Sequence, residues 1–93
     1  MIFTWDVRKA AVNLKKHRTD FREAATVFDD PLSATFQDPD HSEKEQRFLM
    51  IGQSIRRRIL VVAHTEEGDT IRIISARTAT RRERGFCEET ELD

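Results

Sequence analysis

Residues 47–76 read RFLMIGQSIRRRILVVAHTEEGDTIRIISA, and the fold follows from how this stretch divides. Three runs rich in Ile, Val and Leu, from Arg47 to Ile51, Ile55 to Ala63 and Thr70 to Ala76, are separated by Gly52-Gln53-Ser54 and by Glu66-Glu67-Gly68-Asp69. β-branched side chains suit a pleated, half-buried surface, and Gly, Ser and Asp in short polar clusters mark turns. The reading is an antiparallel meander of three strands.

Working outward, Leu32 to Phe36 reads as a further strand, followed by a polar loop from Gln37 to Lys44 that carries Pro39. Toward the N-terminus, Ile2 to Trp5 alternates around Thr4 as a short strand, and Asp6 is a helix N-cap. Val7, Ala10, Ala11 and Leu14 then fall on one side of a helical wheel and predict its core face, with Lys9, Asn13 and Lys16 opposite and His17 between. Asp20 with Glu23 forms a capping box for a second helix carrying Phe21, Ala24, Ala25 and Phe28, which must stop before Pro31. Thr80 with Glu83 is another capping box, predicting a last helix from Arg81 to about Glu89. The whole is an α+β domain spanning residues 1–93, its helices on one face of a mainly antiparallel sheet.

Composition narrows the functional classes. The longest apolar run, Ile59 to Ala63, is far shorter than the roughly 20 residues of a membrane span, and Asp6 and Arg8 interrupt any signal-peptide pattern, so a cytoplasmic protein is expected. The single Cys87 cannot form an internal disulfide, and three glycines leave no phosphate-cradling loop, so no cofactor is expected. Asp29, Asp30, Asp38 and Asp40 suit helix termination and turns better than a magnesium site, so no metal is expected. Net charge is −1, yet residues 1–22 and 56–84 are locally basic while acids gather between Asp29 and Glu45 and in the tail. A sheet face lined by arginines beside a basic helix edge suits a phosphodiester backbone.

Trp5-Asp6, Lys9, Asn13, Lys16-His17, Phe21, Glu23-Ala24, Phe28, Asp30-Pro31, Glu45, Arg47, Ile51-Gly52, His64-Thr65, the run from Arg72 to Arg77 (RIISAR), Ala79 and Glu83-Arg84 stand in the order seen in one family. The chain resembles the BrnT family over almost its whole length. The resemblance implies a RelE-like ribonuclease toxin of a type II toxin–antitoxin module, neutralised by a ribbon-helix-helix antitoxin called BrnA. It also implies a hetero-oligomer with that antitoxin and operator DNA bound only through the complex. Two departures stand out: Arg18 replaces the usual Gly after Lys16-His17, and Cys87 stands where Tyr is common.

Metal-independent RNA cleavage needs a base for the 2′-hydroxyl, cations for the developing phosphate charge and an acid for the leaving oxygen. The catalytic candidates are His17 as acid or base, Glu45 as base, and Arg72 and Arg77 as phosphate clamps. Arg72 and Arg77 are five apart, which puts them on opposite faces of a regular strand unless it bulges between them. Lys9, Lys16, Arg47, Arg56 and Arg58 are candidates for RNA backbone contacts. Each has a structural alternative: an ion pair with Glu83 or Glu45 for the arginines, a capping role for His17, a solvated face for the charge run. Two rival readings remain, a nucleic-acid-binding module without catalysis and a module that only receives an antitoxin.

Overall fold

β1 (Ile2–Thr4), β2 (Ala34–Gln37), β3 (Arg47–Gln53), β4 (Ile59–Glu67) and β5 (Thr70–Thr78) form one sheet in the order β1-β5-β4-β3-β2. These come from a computed structural model, which describes residues 1–38 and 46–85. The neighbours from β2 to β5 are antiparallel, as the meander predicts, and β1 lies parallel to β5, so the sheet is mixed. Helices α1 (Val7–His17) and α2 (Phe21–Thr26) follow β1, α2 runs into a 3₁₀ turn at Val27–Asp29, and α3 occupies residues 81–85. The expected loop at 39–44 and the end of the last helix lie outside the described residues.

The helix-side core joins Phe21, Ala24 and Val27 to Met50, Leu60, Val62, Ile71, Ile73 and Ala76. Phe3 meets Phe28 edge-on at 5.2 Å, and Trp5, just past the end of β1, meets Phe21 at 6.1 Å. Gly52 allows the 3₁₀ turn to rest on β3: a Cβ there would lie 2.8 Å from Ser33 Cβ and 2.9 Å from Val27 Cγ1. Asp30 secures the same crossing by accepting from the Gln53 N–H at 2.7 Å and from Leu32 N–H at 3.0 Å.

Two turns differ from the sequence reading. β3 continues to Gln53 and β4 starts at Ile59, so Ile55 sits at the hairpin tip, 77% exposed, and is not a strand residue. The Ser54 N–H donates to Arg58 O and the Arg57 N–H to Ser54 O, both at 2.8 Å, making a three-residue loop whose last residue, Arg57, has φ 64°. At the other end β4 extends to Glu67, paired with Thr70, and the connection shrinks to Gly68-Asp69, with Gly68 at φ 60° supplying the left-handed residue.

α1 is rotated about a quarter turn from the predicted orientation. Val7 is 78% and Leu14 49% exposed, whereas Asn13 is 5% exposed and sits between half-buried Ala10 and His17. The cause is backbone hydrogen bonding. β1 ends opposite Arg72, so β5 beyond that point has a free edge, and Asn13 closes it. Its Oδ1 accepts from the Ala76 N–H at 3.1 Å, and its Nδ2 donates to Ala76 O at 2.8 Å and Thr19 O at 3.0 Å. Satisfying those buried groups outweighs burying Val7 and Leu14.

Asn13→Ala orphans three buried backbone groups at once and is expected to cost about 2–4 kcal/mol in urea unfolding. Arg18 ends α1 in the left-handed region at φ 52°, its N–H donating to Leu14 O at 2.8 Å. Arg18→Gly keeps that bond without the Cβ strain and is expected to raise stability by about 0.5–1 kcal/mol in the same measurement.

Candidate functional site

The pleat and one β-bulge set the face opposite α1 and α2. His64 pairs with Ile73 and Ala63 with Ser75, so Ile74 is an extra residue in β5. The register shift moves Arg77 to the face that Arg72 already occupies, because Ile71 and Ile73 before the bulge and Ala76 after it all enter the helix-side core. Both arginines therefore lie on the open face, as does Arg47, whose strand neighbours Leu49 and Ile51 belong to a second apolar cluster with Val61, Ile59 and Ala79. A cleft of about 520 Å³ opens at one end of this face, lined by Arg72, Thr4, Thr65, Thr70, Glu66, Glu67 and Gln46. The threonines and Glu67 were not picked out in the sequence; strand pairing across β1, β5 and β4 brings them together.

A second concavity, about 330 Å³, runs between α1 and the free edge of β5. Arg8, Lys9, Lys16 and His17 line its rim, with Val12, Ile74 and Ser75 below. The rotation of α1 thus aims Lys9, Lys16 and His17 at the bulge. Arg72 precedes Ile74 by two residues, about 7 Å along the strand, so the groove and the open face meet at this edge.

The remaining candidates separate from this cluster. Arg58 is half-buried and binds Glu23 through Nε at 2.9 Å and Nη2 at 2.5 Å, with Ser54 Oγ donating to the same carboxylate at 2.7 Å. Arg58 holds the Glu23 carboxyl below its ordinary value, and its guanidinium anchors the β3–β4 hairpin to α2. Arg56 is exposed at that hairpin tip, about 20 Å along β4 from the Thr65 end of the face. Arg77 forms a double hydrogen bond with Glu83, at 2.7 and 2.9 Å, and Glu83 Oε1 also accepts from the Thr80 N–H at 2.9 Å. The structural alternative foreseen for Arg77 is thus realised: it ties the capping box of α3 to β5. Glu45 lies outside the described residues, as do His41 and Cys87.

His64, one of the residues that carry the family resemblance, is fully buried, stacked with Phe48 at 5.7 Å and edge-on to Phe28 at 4.9 Å, its Nε2 3.1 Å from Glu66 Oε1. Among the described residues no three His, Cys, Asp or Glu side chains group closely enough to hold a metal ion, and no helix is long and apolar enough to cross a membrane.

The Arg77 guanidinium, helped by the Thr80 backbone N–H and opposed by desolvation, brings the Glu83 carboxyl from 4.5 down to about 2. The folded carboxylate therefore resists protonation more than the unfolded one, and the pair adds stability above about pH 4.5 that is lost as pH falls toward 2. Glu23 acts in the same direction. Glu83→Gln is expected to flatten part of the stability loss between those pH values in acid titration followed by circular dichroism, while leaving the Glu23 part.

The geometry can be set against known proteins. Residues 5–83 match the family model described as the ribonuclease toxin, BrnT, of a type II toxin–antitoxin system. The fold matches the crystal structure of the Brucella abortus ribonuclease toxin BrnT with a TM-score of 0.63 and 22% identity, over 87% of this chain and 100% of that one. No curated protein matches the chain. The family match runs from Trp5, just past β1, into α3 and takes in the bulge and every residue lining the two concavities except Thr4, and the chain belongs to the BrnT family of ribonuclease toxins of type II toxin–antitoxin systems.

Proposed function

We propose that this chain, acting as one domain of residues 1–93, is a metal-independent endoribonuclease that inhibits translation by cutting RNA in the cytoplasm. The observation that carries the reading is the place of Arg72 on the open face, two residues before the bulge at Ile74 and beside a groove rimmed by Lys9, Lys16 and His17. An RNA strand crossing the free edge of β5 meets both. In the reaction, a base removes the proton of a 2′-hydroxyl, its oxygen attacks the adjacent phosphorus, and the bond to the 5′-oxygen breaks. The 5′-oxygen takes a proton, leaving a 2′,3′-cyclic phosphate and a 5′-hydroxyl.

Within this reading Arg72 steadies the charge on the phosphate, since a guanidinium fork can donate to two oxygens at once. His17 moves a proton at the groove, and Glu45 is the carboxylate base. Lys9, Lys16 and Arg47 position the backbone without reading sequence. Arg77, occupied by Glu83, acts as a positioning residue at the edge of the face.

The partner in this reading is a BrnA-like ribbon-helix-helix antitoxin, bound as a hetero-oligomer that contacts operator DNA through the antitoxin. α1 has no acidic residue, and its exposed flank sets Val7, Ala11 and Leu14 among Arg8, Lys15 and Arg18, which suits an acidic amphipathic segment of that partner.

Induced expression with primer-extension mapping of cellular RNA, at matched soluble protein levels, tests the activity. The unaltered chain is expected to arrest growth and create new RNA ends, with Arg72→Ala reducing cleavage by about 100-fold or more. His17→Ala is expected to reduce it as well, less so if water replaces the imidazole. Arrest without new ends would replace this reading with one of nucleic-acid binding alone.

A further inference from the structure

Four strands contribute one residue each to a row across the open face: Thr4 pairs with Arg72, Arg72 with Thr65, and Thr65 with Arg47. All four side chains are on the side opposite the helix core, since Phe3, Ile71, Ile73, Met50, Val62 and Leu60 take the other side. Neighbouring strands lie about 4.8 Å apart, so the Arg47 and Arg72 backbones flank Thr65 at that distance on either side. Two long cationic side chains thus rise on both sides of one short hydroxyl. Arg72 is exposed, Thr65 and Arg47 are half-buried, and Thr4, Thr65, Thr70 and Arg72 line the 520 Å³ cleft.

We propose that this Thr4–Arg72–Thr65–Arg47 row is the subsite for one phosphodiester group of a single-stranded RNA, with the Thr65 hydroxyl donating to a non-bridging oxygen between the two guanidinium groups. The inference rests on the ribonuclease reading and adds a residue and a place to it. Arginine forks supply charge and paired donors, while a β-branched threonine fixed on a central strand supplies a donor that costs little side-chain entropy to order. Position across the sheet matters too: at this end β5 and β4 are each paired on both sides, which holds Arg72 and Thr65 in register. Both acids near the cleft have defined places. Glu66 lines the cleft with its carboxylate 3.1 Å from His64 Nε2, and Glu67 stays on the open face, paired across from Thr70. A carboxylate at the rim opposes an anion, so Glu67 weakens the subsite and does not build it.

Two measurements on the full chain test the row: cleavage of a single-stranded RNA, and binding of the same sequence carrying 2′-O-methyl groups, which cannot be cut. Thr65→Val keeps the shape and strand preference but removes the hydroxyl. It is expected to weaken binding and lower kcat/KM by about tenfold, with Thr65→Ser restoring both to within about threefold. Arg47→Ala and Arg72→Ala are each expected to reduce the slope of log K against log salt by about 0.7, as loss of one phosphate charge contact on a single strand requires. Thr65→Val leaves that slope unchanged, and Glu67→Gln tightens binding. If the unaltered chain binds the methylated RNA without cutting the natural one, the nuclease reading fails while a tenfold loss with Thr65→Val still supports the row. If Thr65→Val cuts and binds like the unaltered chain, or Arg47→Ala leaves the salt slope intact, the row is overturned while the nuclease reading stands.

Discussion

Three hydrogen bonds from one amide organise this molecule. Asn13 joins α1 to the free edge of β5 where β1 has run out, serving Ala76 through both its N–H and its carbonyl and reaching back to Thr19. A sheet edge inside a folded domain carries backbone groups that water cannot reach, and an amide side chain is one of the few groups offering donor and acceptor together. That requirement sets the rotation of α1. The rotation in turn sets which helix residues face the strand edge and which are left in solvent, so Lys9, Lys16 and His17 come to rim the groove above Ile74 while Val7 and Leu14 stand exposed.

The bulge at Ile74 is the complementary device on the sheet. Without it a five-residue spacing would send Arg77 to the helix side, into a space filled by Phe21, Ala24 and Leu60. With it, the apolar residues of β5 stay in the core on both sides of the irregularity, and the two arginines share the open face. Of these, Arg77 is neutralised by Glu83 and Arg58, at the distant hairpin, by Glu23. Both pairs attach a neighbouring segment to the sheet, and Arg72 stands in the cleft with the cross-strand residues Thr4 and Thr65 on either side.

Much of this was legible in local pattern. The strands of the meander, the Asp6 and Asp20 caps, and the Thr80–Glu83 capping box all act within a few residues, so side-chain type and spacing suffice to predict them. The turn at residues 54–58 was displaced because its chemistry does not use Gly52, whose absent side chain serves the packing of Val27 and Ser33. Arg57 takes the left-handed position where glycine is usual, and no pattern rule anticipates an arginine there. The face of α1 was misread for a related reason: a wheel ranks residues by hydrophobicity, whereas the decisive demand came from unpaired backbone 63 residues away.

Composition and order of residues alone determined the α+β class, the segregated basic blocks, the family and the residue types available for phosphate chemistry. Those are properties of the chain read locally or as an ordered set. Tertiary structure decided which of the arginines stand together, that Thr4 and Thr65 flank Arg72, and that the helix groove opens beside them. Each of those depends on strand register, on a parallel pairing between β1 and β5, and on a single extra residue in one strand. A shift of one residue in a strand reverses every side chain beyond it, so the arrangement of the site is a consequence of long-range pairing that no local spacing specifies.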